Sequence, residues 1–348
     1  MNIIYNSRFT IRNSKFEVRS SISFLLIFLL LLLGIPGFVL AEAGIANKYI
    51  GDKGIENDPD VIFAENFEAG TVTDIVTHWT DSQNTAGMSL VSDVPSGSSG
   101  TRSLQMTSIG GTNTGGYLYK KLSTGYDHIY FRFYIKYASG GTYHHTGGRL
   151  GGYNPPTNWP QGGAGIKPTG SDRFSIAAEP NGDFPYTTDG SPRFDFYIYW
   201  MNMRNSSDGK YWGNDFINDP NIMTVFDKWV CVEVMVKLNN PLSSYNGELA
   251  MWIDGKKIIH LGEGFPNGKW AWDSFFPDSS GTPFEGFQWR NVEELKINWV
   301  ELIHYVTQDS TGYVGRAWFD DVVVATKYIG PINTLTDIPS PPTGLIIK

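Results

Sequence analysis

Histidine is scarce in this 348-residue chain, which holds six, yet His144 and His145 stand side by side in "YHHTGGRLGGYN", just ahead of Arg149. An imidazole changes charge near neutral pH, so it needs little tuning to serve as a general base. A guanidinium close by holds a carboxylate through paired hydrogen bonds. The pairs Gly147-Gly148 and Gly151-Gly152 let backbone pass close to a ligand. Further on, "RFDFYIYWMNM" sets Arg193, Asp195, Tyr197 and Tyr199 at period two, on one face of a strand. "HIYFRFYIKYA" does the same with Tyr130, Arg132, Tyr134 and Lys136. Faces of tyrosines and cations suit a sugar groove, where rings stack on pyranoses and cations hold acidic groups. An ordinary solvated sheet face carries the same pattern. Consecutive strand residues point opposite ways, so at most one of the two histidines faces such a groove. His145 is the chemical candidate, and His144 suits a structural hydrogen bond.

Other chemistries find less support. Cys231 is alone, so no internal disulfide forms, and "KWVCVEVMVKLN" reads as a strand that buries an inert thiol. No zinc-type Cys/His spacing, phosphate loop or dinucleotide fingerprint occurs, and no metal ligands are expected at the site. Retaining glycosidases need two carboxylates about 5 Å apart. Glu294 and Glu301, seven positions apart, would fall on opposite faces of one strand, and Glu233 stands alone, which disfavours hydrolysis. A net charge of −8 argues against a nucleic-acid partner. It argues only mildly against an anionic polysaccharide, because a local basic cleft can sit in an acidic protein. A structural calcium is compatible with the chain, but no EF-hand loop specifies one, and Asp320 and Asp321 suit strand-end hydrogen bonding.

The elements that position these residues are strands. "GGYLYKKL", "RFSIAA", "GELAMWIDGKKIIHL", "EELKINWVELIHYV" and "RAWFDDVVVATKYIG" join the runs above in alternating apolar with polar residues. Asp254-Gly255 between two such runs predicts a hairpin. No segment carries a helical stripe, so two packed antiparallel sheets or a barrel are expected. With 41% apolar and 14% aromatic residues the chain can fill a large core. Residues 1–43, with basic residues before the apolar run Phe24 to Leu33 and small residues after it, read as a secretory signal peptide. That places the protein outside the cytoplasm, extracellular or periplasmic, with no membrane attachment after cleavage. Residues 44–57 read as an irregular lead-in, 58–330 as one domain, and 331–348 as a Pro-rich tail or linker.

The stretch "KWVCVEVMVKLNNPLSSYNGELAMWIDGKKII" followed by "RAWFDDVVVATKYIGP" resembles the closing half of a concanavalin A-like jelly roll. More narrowly, it resembles the jelly-roll polysaccharide lyases that cut alginate or glucuronate polymers. The resemblance spans most of residues 60–330 and lies in pattern more than in long identical motifs. Those lyases carry a Lys-Leu-Pro-Gly-Leu run ending in Gly-Gly; "HTGGRLGG" has His145 where the lysine would stand. Their Phe-Ser-x-Arg is "FSIA" here, keeping Ser175 with Ala177 in place of arginine, and their Tyr-x-Tyr is Tyr197 and Tyr199.

The resemblance implies an all-β antiparallel sandwich and β-elimination on a uronic-acid polysaccharide. A cation neutralises the uronate, a base takes the C5 proton, and an acid protonates the leaving oxygen at C4. It assigns His145 as base or carboxylate partner and Tyr199 as base or acid, with Tyr197 and Arg149 positioning the sugar. Arg132, Lys136, Ser175, Arg193 and His144 would contact substrate, and Arg149, Arg173 or Arg193 would replace the missing arginine. A tyrosine base would need cations to lower its pKa from about 10. Two alternatives remain: a lectin-like binding module, which would show an aromatic trough, and a hydrolase of the same fold, which would show two facing carboxylates.

Overall fold

Of the two arrangements open to so many alternating strands, the chain takes the one in which two sheets each bury a face against the other. The computed structural model describes residues 43–180, 193–217 and 226–334. The expected signal peptide and most of the Pro-rich tail lie outside the described residues. Strands are numbered β1 to β18 along the chain. One sheet runs β13 (Lys256–Leu261), β12 (Glu248–Ile253), β11 (Val230–Lys237), β6 (His128–Tyr137), β18 (Val314–Ala325), β4 (Ser103–Ile109) and β3 (Met88–Val91), and β1 (Val61–Glu65) also pairs with β18. The other begins with β16 (Thr282–Pro283), β14 (Asn267–Ala271), β15 (Ser274–Pro277) and β10 (Asn214–Asp215). It continues through β9 (Phe194–Tyr199), β8 (Arg173–Pro180), β7 (Thr146–Tyr153), β17 (Ile297–Tyr305), β5 (Gly115–Tyr126) and β2 (Asp81–Gln83). Pairing is antiparallel except between β10 and β15. Asp254 and Gly255 both take positive φ, 49° and 75°, in the expected hairpin between β12 and β13.

The core lies between the sheets. Phe131, Phe133 and Ile135 of β6 with Val232, Val234 and Val236 of β11 face Leu150 of β7, Phe174 and Ile176 of β8 and Phe196 and Ile198 of β9. A Cβ on Gly148 would run into the Phe133 ring, so the second glycine of the β7 pair is a packing requirement.

The polar face of β6 corrects an expectation. It belongs to the opposite sheet from β9, and the lead-in and the segment after β18 cover it. Ile45, Ala46 and Ile55 of the lead-in pack with Val323, Ala325 and Ile329. Arg132 is fully buried there, paired with Asp52 and donating to the Gly330 and Asp321 carbonyls, each at 3.0 Å. Lys136 pairs with Asp93 and lies 4.3 Å from the Trp318 ring centre. Neither reaches a sugar groove: Arg132 ties the lead-in to the segment after β18, and Lys136 is held by the connection between β3 and β4. Glu233 also holds the segment after β18, accepting from the Ile329 and Gly330 amides at 2.7 and 2.8 Å.

Asp320 Oδ1 accepts from the Asp321 amide at 2.8 Å, the strand-end bonding expected of this pair. Asp52 Oδ1, Asp320 Oδ2 and Asp321 Oδ2 are buried without a hydrogen-bond partner.

Breaking a buried ion pair strands the remaining charge, which costs about 3–5 kcal/mol. Arg132→Ala therefore lowers unfolding free energy by roughly that amount. Denaturant titration checks this, and a loss under about 1 kcal/mol would mean that Asp52 finds another partner.

Candidate active site

The site is built by register on the outer face of the ten-stranded sheet. Across four strands, Glu301 of β17 lies opposite Arg149 of β7, Arg149 opposite Ala177 of β8, and Ala177 opposite Tyr197 of β9. In the next row Trp299, Gly151, Ser175 and Tyr199 follow one another. Strands lie about 4.8 Å apart, so Arg149 and Tyr197 stand roughly 10 Å apart at the backbone with only a methyl between them. A trough results, with a volume of about 420 Å³, lined by His145, Arg149, Ser175, Tyr197, Tyr199 and Glu301 among others.

His145 does not obey strand alternation. It sits in the turn before β7, with φ at 64°, and its carbonyl accepts from the Tyr305 amide at 3.1 Å. The turn brings the His144 and His145 rings together, centroids 3.7 Å apart, so the expectation that they point opposite ways does not hold. His145 lines the trough with its ring 5.0 Å from that of Tyr197, while His144 is partly exposed beside it and is not among the lining residues.

Glu179 was not anticipated. It ends the outer-facing row of β8, two residues past Ala177, and is almost wholly buried. Its Oε1 lies 2.6 Å from His145 Nδ1, and its Oε2 accepts from Arg149 Nη2 at 3.4 Å. Burial alone would raise its pKa, but His145 and Arg149 outweigh that and bring it down to about 2. An ionised carboxylate only accepts, so Nδ1 carries a proton, and Nε2 is the nitrogen left to face the trough. The sequence signal was available only as a lone acid at the end of "RFSIAAE".

Glu301 behaves oppositely. It lies 4.0 Å from Arg149 Nη1, too far for a hydrogen bond. Burial, with Glu179 and Asp81 nearby, outweighs Arg149 and pushes it up to about 7. Glu294, expected on the same strand, instead precedes β17 and is exposed.

The two tyrosines share a face, with hydroxyls 3.2 Å apart. Burial and the Tyr199 hydroxyl raise the Tyr197 phenol above its ordinary range, the reverse of what a tyrosine base needs. Arg173 donates to the Gly163 and Ile166 carbonyls at 3.1 and 2.7 Å and so holds the long loop that forms one wall. Arg193 is buried at the start of β9 and is not among the described lining residues. Of the three candidate replacements for the missing arginine, Arg149 and Arg173 both line the trough, and Arg149 is the one opposite Ala177. His304 has both ring nitrogens engaged, by Thr146 and Ser108 at 3.0 and 3.1 Å, and is structural. Burial likewise pushes the Cys231 thiol up, keeping it inert.

No protein-family model and no curated protein matches the chain. Solved structures do. The marine PL-14 alginate lyase from Aplysia kurodai is 13% identical with a TM-score of 0.51, over 76% of this chain and 99% of that one. The chain has the jelly-roll fold of that lyase. Alginate lyase Aly36B is 11% identical with a TM-score of 0.49, over 77% and 98%. The endo-β-1,4-glucuronan lyase from the fungus Trichoderma reesei is 12% identical with a TM-score of 0.44, over 76% and 95%. At such identities the likeness concerns the fold, and the chemistry must come from the trough.

Glu301 yields a prediction with a definite sign. Its raised pKa favours the protonated form in the fold, so its contribution is best below the unfolded value of 4.5 and is lost as pH rises to about 7. Glu301→Gln stays neutral throughout. Its melting temperature should gain on that of the wild type as pH goes from 4.5 to 8; a constant gap across that range would contradict the shift.

Proposed function

We propose that this chain is a polysaccharide lyase that acts outside the cytoplasm on a uronic-acid-containing polymer by β-elimination. The observation that carries the reading is the pair of buried Glu179 and half-buried His145 opening onto a trough that also holds Arg149 and Tyr199. In this reading Glu179 fixes the tautomer and orientation of His145, whose Nε2 takes the proton from C5 of the uronate. Arg149 binds the uronate carboxylate, which stabilises the negative charge that develops as the proton leaves. Electrons from the broken C–H bond form the C4–C5 double bond, and the C4–O bond breaks. Tyr199, hydrogen-bonded to the high-pKa Tyr197, protonates the leaving oxygen. Ser175, beside Tyr199 across the strands, contacts the sugar. The signal-like segment at residues 1–43 supports secretion.

The alternatives meet specific obstacles. A hydrolase needs two carboxylates facing the substrate, yet Glu301 lines the trough while Glu179 lies behind His145 and Arg149. A lectin needs a row of open aromatic faces, but Trp299 is buried, stacked on Tyr153 at 5.2 Å, and of the aromatic residues lining the trough Tyr305 is the exposed one.

The test is turnover of alginate, glucuronan, ulvan, pectate and glycosaminoglycans, followed by the ultraviolet absorbance of unsaturated sugar ends. One polymer should respond, and His145→Ala should cut its rate by about 10²–10⁴-fold with the fold intact. New reducing ends without absorbance would mean hydrolysis, and a flat record on every polymer would favour a binding module.

A further inference from the structure

His144 has no role in that mechanism, yet its ring lies against His145 in a turn whose positive φ brings the two together. One ligand atom each from His144, His145 and Glu179 lie within 4.8 Å of one another. In a tetrahedral zinc site with bonds of about 2.0–2.1 Å, neighbouring ligand atoms are roughly 3.3 Å apart. Rotation of the partly exposed His144 would bring its nitrogen in, and the His145 ring would draw back from its 2.6 Å contact with Glu179, which stays fixed in the buried end of β8.

We propose that His144, His145 and Glu179 form a transition-metal site at the edge of the trough, one that takes Zn²⁺ and switches His145 off as a base. Two imidazoles and one carboxylate suit zinc and its neighbours, whereas magnesium and calcium require oxygen ligands. Three protein ligands leave a fourth position for water or an acidic group of the polymer.

The switching follows from the two ring nitrogens. Without metal, His145 Nδ1 donates to Glu179, 2.6 Å away, and Nε2 keeps its lone pair. A metal shared by Glu179 and His145 takes the Nδ1 lone pair, and the single ring proton moves to Nε2. No other covalent bond changes. The imidazole then presents an N–H to the trough instead of a base. The inhibition rests on the lyase reading, but the metal binding does not.

The experiment begins with chelator-treated protein at pH 7.5, titrated with Zn²⁺ in competition with a chromophoric chelator, and with Co²⁺ followed by its visible absorption. One Zn²⁺ per chain is expected, and Co²⁺ should give the intense bands of a four-coordinate site. His144→Ala should weaken Zn²⁺ at least about tenfold, since even the partners behind metal ligands are worth that much. Absence of binding, or equal affinity in the variant, overturns the site. In the ultraviolet assay stoichiometric Zn²⁺ should stop the wild type, a chelator should restore it, and His144→Ala should need at least about tenfold more metal. Binding without inhibition overturns the switch. Should no polymer be turned over, the lyase reading fails while the titrations still decide the metal site.

Discussion

A carboxylate that remains ionised inside a sheet must be surrounded by positive charge or hydrogen-bond donors. Glu179 imposes that condition on this molecule. It recruits His145 on one oxygen and Arg149 on the other, and those two residues define the polar end of the trough. Arg149 is thereby held in the row between Glu301 and Ala177. The same guanidinium is too distant from Glu301 to hydrogen-bond with it, so two acids flanking one cation have their pKa values pushed in opposite directions. Their difference comes from which of them holds the histidine.

Much of the fold was legible because period-two alternation is a local property. Each run of Phe, Ile, Val and Tyr declares itself a strand regardless of its neighbours, and Asp254-Gly255 declares its hairpin. Which sheet a strand joins is not local. The faces of β6 and β9 look alike in sequence, a row of tyrosines and cations, yet one lines a trough and the other is covered by the lead-in and the segment after β18. Arg132 and Lys136 were misread for that reason: their acid partners Asp52 and Asp93 lie 80 and 43 positions away.

The site was legible by residue type and opaque by geometry. His145, Arg149, Ser175, Tyr197 and Tyr199 share one trough, consistent with their strand phase or their place in the glycine-rich stretch. Glu179 escaped notice because an acid at a strand end is usually solvated, and only the fold puts it against His145 and Arg149. The two histidines were expected on opposite faces because a strand was assumed where the chain makes a turn. A single backbone angle, φ of 64° at His145, separates the two outcomes.

The clamp on the far sheet has a consequence for how the molecule comes apart. The lead-in and the final segment do not fasten to the sheet separately. Ala46 donates to the Ile329 carbonyl, Asn333 donates to that of Asn47, and both segments share Arg132 through Asp52 and Gly330. Either end is the other's binding partner, so neither can peel away without exposing the same apolar cluster. They behave as one cooperative opening unit. Loosening residues 45–55 would be felt first at residues 328–333, on the side of the sandwich away from the trough.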